Sequence, residues 1–373
     1  MSIPATLGRP ARPGGVPRGP QWRLTPRQLC DYELLATGAF LPLRTFLGRA
    51  DYESVCERMR LADGRLWPMP VTLDLPGEVA RAASRAGVLE LADRHGTGLA
   101  RMRIDEAWRP DRLAEAEAVL GTTDRAHPTV RHLQDRTRAW YVSGPLEVRR
   151  IPSHPDLPPL VRTPAQVKAE LRRRGWTRVV AFNTRNPMHG AHRAVVLRAA
   201  QSENACLLIH PVVGPTRPGD VPAAVRTRCY QAVMRTLPPG RAMLSLLPLA
   251  MRMAGPREAL WHAMVRRNFG ATAFIVGRDQ ASPGVDSHGK PFYGRYAAQT
   301  LVRSHENEIG LGAVCLPEMV HVEGLGYLPR HEVPPGRPVH EISGTEVRRL
   351  LREGGEIPRW LVPPEVVAEL RQG

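Results

Sequence analysis

The residues equipped for chemistry cluster in one stretch, "VVAFNTRNPMHGAHRAVV", at positions 179–196. An apolar run, Val179 to Phe182, delivers Asn183, Thr184, Arg185 and Asn186 onto a short loop, and Pro187 follows. His189 and His192 then stand three apart where a helix begins. Amides, a guanidinium and imidazoles are mostly donors. Gathered at a helix start they suit an anion, because free N–H groups and the helix dipole favour negative charge there. The planar fork of an arginine can hold such an oxyanion through two bonds. The histidines share one side of a helical turn. Three readings are open for them: metal ligands, caps for loop polar groups, or contacts to phosphate. The metal reading lacks a nearby third ligand and an HExxH pattern.

More polar loops follow at regular intervals: "PVVGPTRPGD" (211–220), "PLAMRMAGPREA" (248–259) and "GRDQASPG" (277–284). Each offers arginine, glycine or both. In "ISGTEVRRL" (342–350), Ser343 and Thr345 sit at a helix start and read equally well as N-caps. Arg257 and Glu258 read as a surface ion pair on a helix's first turn.

The elements that must position these loops alternate. Strands are expected at 178–182, 206–210, 243–247, 272–276 and 312–316, and helices at 190–202, 221–236, 255–269 and 294–307. Such alternation predicts a parallel sheet with helices on both faces. Ligands bind at the carboxyl ends of its strands, which is where the polar loops fall. Before it, residues 23–165 mix short apolar runs with turns, as in "LWPMPVTLDL" (66–75) and "VLELADRHGTGLARMRI" (88–104), and predict a β-rich domain with a few helices. "PSHPDLPPL" and "VRTPAQ" read as a linker. The divisions expected are a flexible arm over 1–22, an N-terminal domain over 23–165, a catalytic domain over 166–330 and a small C-terminal domain with helices over 331–373.

Composition sets limits. The 373 residues suffice for two or three domains. No apolar run approaches the roughly 18–20 residues of a membrane span, and the Pro/Gly/Arg-rich start lacks a signal core. Five cysteines without a CxxC pair predict neither a zinc site nor a disulfide framework, so the expected location is the cytoplasm. The net charge of +16 is carried by arginines interleaved with Asp and Glu, since Lys168 and Lys290 are the only lysines. That is an arginine-biased composition rather than a nucleic-acid surface, and its field favours small anionic substrates. No membrane or nucleic-acid partner is expected.

Beyond its N-terminal arm the chain resembles the ATP sulfurylase (sulfate adenylyltransferase) family. The family's Gln-x-Arg-Asn-Pro-x-His-x-x-His reads "NTRNPMHGAH" here, and its Gly-Arg-Asp-His-Ala-Gly-Pro-Gly reads "GRDQASPG". "LTPRQLCDYELLATGAFLPL", "LSLLPLAMRMAGPREALWHA", "FYGRYAAQ" and "ISGTEVRRLLREGGEIPRWLVPPEVV" are also similar to family segments. The resemblance implies an α/β protein: a PUA-like N-terminal domain, a nucleotidyltransferase domain with a Rossmann-like parallel sheet, and a small C-terminal helical region. It implies transfer of adenylyl from MgATP to sulfate, giving adenosine 5′-phosphosulfate and pyrophosphate, with Mg2+ arriving on ATP and a homodimer as the assembly. No APS kinase unit is expected, as no GxxxxGK[ST] loop occurs.

The family's roles fall on particular residues of this sequence. Arg185 would clamp the oxyanion, with Asn183 and the Ala281 N–H completing its pocket. Asn186 would help hold the α-phosphate. His189 and His192 would stabilise charge on the transferring phosphoryl group and on pyrophosphate. Thr184, Gly277, Arg278 and Asp279 would line the nucleotide site, and the backbone of Met319 and Val320 would meet adenine.

The sequence departs from the family at five places: Asn183 for glutamine, Gly190 for a bulky residue, Gln280 for histidine, Ser282 for glycine and Arg217 for lysine. A shorter amide at 183 and a missing side chain at 190 predict a larger acceptor pocket. Two other readings therefore accompany sulfate: adenylylation of a phosphonate or selenate in specialised metabolism, or a catalytically silent nucleotide-binding homologue.

Overall fold

The computed structural model describes residues 19–217, 219–340, 349–350 and 353–372. Ser343 and Thr345 lie outside the described residues, as do the first eighteen positions of the arm.

The N-terminal region contains β1 (Gln21–Arg23), α1 (Pro26–Ala36), α2 (Arg49–Arg58), β2 (Leu73–Leu75), α3 (Gly77–Ala86), β3 (Val88–Ala92), β4 (Gly98–Arg103), β5 (Glu106–Trp108), α4 (Arg112–Leu120), α5 (Pro128–Asp135), β6 (Trp140–Ser143) and β7 (Leu146–Val148). The strands form two small sheets, ordered β1-β3-β4-β7 and β2-β6-β5. β1 pairs with β3, so the chain has entered a sheet by Gln21, inside the stretch expected to be an arm. Local chemistry explains the elements. Thr25 and Gln28 cap α1 reciprocally, with Pro26 in the first turn. The Asp93 carboxylate accepts from the N–H groups of His95 and Thr97 and closes the turn between β3 and β4.

"VRTPAQ" is not a linker. Thr163 and Gln166 form a second capping box, and α6 (Pro164–Arg173) starts inside that segment. There follow β8 (Val179–Phe182), α7 (Gly190–Ser202), β9 (Cys206–Ile209), α8 (Ala223–Met234), β10 (Ala242–Leu244), α9 (Gly255–Asn268), β11 (Ala273–Ile275), α10 (Ala297–Ser304), α11 (Glu306–Ile309) and β12 (Gly312–Val314). The five strands make one parallel sheet ordered β10-β9-β8-β11-β12. β8 and β9 are buried at every residue, as strands covered on both faces must be. Two expected elements are shorter. The strand at 243–247 ends at Leu244, and Leu246 and Leu247 make single bridges to Val161 and Val212. The helix at 294–307 breaks at His305, whose backbone leaves the helical region with φ −116°.

One apolar cluster runs unbroken from the N-terminal sheets to the α9 side of the parallel sheet. Phe40, Trp67 and Trp261 meet there, with Phe40 5.5 Å from Trp67 and 5.0 Å from Trp261 between ring centroids. A second cluster joins the opposite face of the sheet to α7, α8 and the last helix, α12 (Pro364–Arg371). An antiparallel sheet of β13 (Met319–Val322), β14 (Gly326–Pro329) and β15 (Val339–His340) lies against α7.

Two contacts fix these parts to the site. Asp31 of α1 pairs with Arg252, which follows β10, at 2.6 and 2.7 Å, and both side chains are almost wholly buried. The Gly190 N–H donates to the Leu361 carbonyl at 2.7 Å, and a Cβ at 190 would lie 2.1 Å from the Trp360 carbonyl oxygen. Tyr327 donates to the same oxygen, and Trp360 stacks on His321 at 4.4 Å. Each contact gives a prediction. Removing one partner of a buried ion pair costs about 3–5 kcal/mol, so Asp31→Asn should lower unfolding free energy in urea by about that much. A loss below about 1 kcal/mol would contradict it. Gly190→Ala should undock residues 358–362, seen as faster amide hydrogen exchange there with the parallel sheet unchanged. Unaltered exchange at 358–362 would show that the close approach is not what seats this segment.

Candidate active site

Strand order locates the site. The chain runs from β8 outward through β9 to β10, then crosses to β11 and β12 on the other side. The reversal falls between β8 and β11, and ligands bind at such a switch point, beyond the carboxyl ends of the strands. The loops leaving there are 183–189 and 276–284, the two that carry the most polar motifs.

The first loop is stapled from α8. Arg226, 2% exposed, donates to the carbonyls of Arg185, Val212 and Val221 at 2.8–2.9 Å. Tyr230 donates to the Asn186 carbonyl at 3.1 Å. Thr184 is buried, and its hydroxyl accepts from the Asn186 N–H at 3.0 Å, so it shapes the loop rather than lining a nucleotide surface. Asn186 is exposed, and its amide has no partner among the described residues.

Asn183 does not do what its position suggests. Its amide oxygen accepts from Arg266 at 2.6 Å, and its NH2 lies 3.0 Å from His262 Nδ1. Arg266 and His262 are fully buried on α9. Both ends of the amide are thus engaged with this buried network. The larger pocket expected from Gly190 is also absent, because Trp360 and Tyr327 fill the space a side chain would take. Gln280 folds back to accept from the Gly277 N–H at 3.1 Å.

Arg185 is already engaged. Its Nη1 lies 2.6 and 2.5 Å from the two carboxylate oxygens of Asp220. Its Nε and Nη2 have no hydrogen-bond partner among the described residues, so one edge of the fork stays available.

His189 is the N-cap residue of α7, and its ring lies tilted by 33° against that of His192 with centroids 3.8 Å apart. The His189 N–H points to His192 Nδ1 at 3.4 Å, while His189 Nδ1 is buried without a partner. Burial pushes His189 down to about 4, and burial with the neighbouring imidazole pushes His192 well below its ordinary range. Both rings are therefore neutral at pH 7 and able to donate one N–H each. Not every N–H of the helix start is open to a ligand, since Leu361 takes that of Gly190. Among the described residues no cluster of three or more His, Cys, Asp or Glu surrounds the pair.

The second loop holds Ala281 with φ +56°, in the left-handed region. A residue with a Cβ pays of order 1–3 kcal/mol there, and such strain persists where the surroundings enforce it. Here the Ala281 carbonyl accepts from the Gly255 N–H at 3.2 Å, and its own N–H has no partner among the described residues. Gly255 begins α9 beside a second left-handed residue, Met253 at φ +58°. Glu258 holds that turn. Its two oxygens accept from the N–H groups of Arg252 and Ala254 at 2.9 Å, and His262 Nε2 lies 3.3 Å from it. Glu258 is fully buried, not half of a surface pair, and Arg257 turns to the carbonyls of Val55 and Cys56 instead.

Gly277 and Asp279 are exposed on the same loop, and Arg278 pairs with Glu318 at 3.1 Å, next to Met319. The Arg330 N–H donates to the Glu318 carbonyl, which fixes the alternation of the β13–β14 ladder. The peptide groups of Val320 then face Leu328, and those of Met319 turn away from Pro329, which has no N–H to offer. Among the described residues the backbone groups of Met319, rather than those of Val320, have no ladder partner. Sequence reasoning missed Arg226, His262 and Arg266, because a charged or polar residue on a helix reads as exposed. Asp220 stood within a flagged loop but among its arginines.

The ATP-sulfurylase family model matches residues 158–373, and that of the PUA-like domain matches residues 16–150. The sulfate adenylyltransferase of Eremothecium gossypii is 46% identical over 95% of this chain and 71% of its own length. That of Aspergillus fumigatus is 47% identical over 94% of this chain, which spans 61% of that protein. A solved chain described as "Hexameric APS kinase from Thiobacillus denitrificans" superposes with a TM-score of 0.76 at 32% identity, over 95% of this chain and 63% of that one. By the extent of the family match and of these relatives, the chain belongs to the ATP-sulfurylase family.

Proposed function

We propose that the protein transfers adenylyl from MgATP to sulfate, forming adenosine 5′-phosphosulfate and releasing pyrophosphate. The observation that carries this reading is the backbone of Ala281, held in a strained conformation with its N–H free, on the loop leaving β11 beside that of Arg185. A preformed donor of this kind suits an oxyanion. The names of the relatives supply the choice of sulfate.

In this reading a sulfate oxygen attacks the α-phosphorus of ATP in line. The new bond is O–P, the bond to the bridging oxygen of pyrophosphate breaks, and that oxygen keeps the electron pair. No protein nucleophile takes part. The free edge of Arg185 and the Ala281 N–H hold the acceptor, and the Asn186 amide and Arg278 side chain orient the phosphates and nucleotide. His189 and His192 donate to oxygens whose charge grows as pyrophosphate leaves. Mg2+ enters with ATP as part of the substrate. In this reading β1 belongs to the N-terminal domain, and the catalytic domain begins with α6 at Pro164, ahead of the division expected at 166. Among the described residues no helix is long and apolar enough to cross a membrane, and the five cysteines are free, which suits a reducing cytoplasm.

The withdrawal of Asn183 favours one second reading, that sulfate shares the site with another oxyanion. Initial rates of ATP-dependent pyrophosphate release with sulfate, selenate and an alkylphosphonate decide between them. The proposal expects the highest kcat/KM with sulfate; ATP binding without turnover on any of the three would overturn it. Losing one donor aimed at developing charge costs about 10²–10³-fold. His189→Ala and His192→Ala should each lower kcat by that factor with the melting temperature retained, and near-full activity in either would assign that ring a structural role.

A further inference from the structure

The loop after β11 holds an arginine whose charge is met while its donors are not. Arg278 Nη1 lies 3.1 Å from Glu318 Oε1, yet its N–H bonds are not aimed at that oxygen, and the nitrogen is buried without a hydrogen bond. Among the described residues none of the N–H groups of this guanidinium has a hydrogen-bond partner. The buried pair of Asp31 and Arg252 is different. There Nη2 donates to the carboxylate and Nη1 to the Ala250 carbonyl. A buried N–H is normally satisfied by protein, water or ligand, so an arginine with open donors at the switch point has room for a ligand's oxygens.

Glu318 is itself fixed from the other side. Its Oε2 accepts from Arg330 Nε at 2.8 Å, and its carbonyl accepts from the Arg330 N–H at 2.8 Å. Arg330, with Arg278 beside it, outweighs burial and holds the carboxyl below its ordinary range, so it is ionised at pH 7. Arg330 follows β14, so the antiparallel sheet sets this carboxylate and presents it to the loop after β11. Sharing between two arginines is not what distinguishes it, since Glu90 is shared by Arg101 and Arg149 on the N-terminal sheet. Neither of those arginines leaves a buried nitrogen without a hydrogen bond.

An ion pair whose side chains are 24% and 29% exposed adds little to stability. What it supplies is place. Coulomb attraction holds the guanidinium near one point without dictating where its N–H groups turn. A phosphate can then accept from a planar fork that is already located and still open. Met319, whose backbone groups have no ladder partner, is the next residue, so Glu318 also sets the spacing between Arg278 and that segment. Resting on the reading that Arg278 orients the nucleotide, we propose that Glu318 is the positioning residue for that arginine: it tethers the guanidinium by charge and leaves its donors to the phosphates of ATP. One side chain thereby joins the β13–β14 sheet to the loop after β11.

The test is Glu318→Gln, which removes the charge and keeps an oxygen for Arg330 Nε. Calorimetry with the Mg2+ complex of α,β-methylene-ATP gives nucleotide affinity without turnover. Immobilising a freed arginine on binding weakens affinity about 3–10-fold, so Kd should rise by that factor. The melting temperature should stay within about 2 °C of wild type, as for any half-exposed ion pair. The same substitution made on top of Arg278→Gln should bring no further loss, because Glu318 acts through that arginine. A fall in Kd would overturn the inference, since it would show a carboxylate that only repels the phosphates. An unchanged Kd would overturn it, and so would an equal loss with and without Arg278. Arg278→Gln alone separates this inference from the reading beneath it. If that variant binds the analogue as wild type does, Arg278 does not meet the nucleotide. If it binds more weakly while Glu318→Gln does not, only the role of Glu318 is lost.

Discussion

The site depends on one fully buried carboxylate, Glu258, at the start of α9. Burial alone works against its charge. The His262 imidazole and the N–H groups of Arg252 and Ala254 outweigh that and hold it below the ordinary carboxylate range. An ionised group inside the protein stabilises only the arrangement that satisfies it, and leaving it without partners would cost several kcal/mol. The 252–255 turn is thus fixed in a shape its residues would not choose, with Met253 left-handed and Gly255 placed to donate to Ala281. The same carboxylate faces His262, and His262 and Arg266 together hold Asn183. One buried charge therefore bears on the backbone of the Ala281 loop and on Asn183, the first side chain of the loop after β8.

The N-terminal domain belongs to this arrangement. Asp31 neutralises Arg252, Thr129 donates to the Arg252 carbonyl, and His127 Nε2 lies 3.1 Å from the Met253 carbonyl. Burial pushes His127 down to about 4, so it meets that carbonyl as a neutral donor. These contacts hold residues 252 and 253 of the strained turn, while Gly255 meets Ala281. The β-rich domain is, in physical terms, the outer wall of the turn that holds Ala281, the proposed oxyanion donor, and the apolar core is continuous between the two regions.

The sequence made the sheet legible because parallel strands buried on both faces are continuous apolar runs, as "VVAF" and "CLLI" are, set at intervals between helical stretches. The start of α7 at Gly190 was legible from the donors before it. The direction in which a polar side chain points was not. Asn183 reads as a ligand group, and only the buried Arg266 and His262, about eighty residues further on, turn it inward. Gly190 reads as missing bulk, and only the approach of Trp360 from the far end of the chain shows that the space is taken. Arg257 and Glu258 are adjacent and opposite in charge, yet the helix turns one into the core and the other to the N-terminal domain. Asn183, Gly190 and Arg257 hang on contacts between residues distant in sequence, which spacing cannot encode.

The central claim is that the acceptor rests on Arg185 and the Ala281 N–H while Asn183 stays within the α9 network. A crystal structure with selenate bound, located by its anomalous scattering, tests this most directly. The account predicts the anion within hydrogen-bond distance of the Nε/Nη2 edge of Arg185 and of the Ala281 N–H, with the Asn183 amide still on Arg266. An anion held by the Asn183 amide, with Ala281 out of reach, would contradict it.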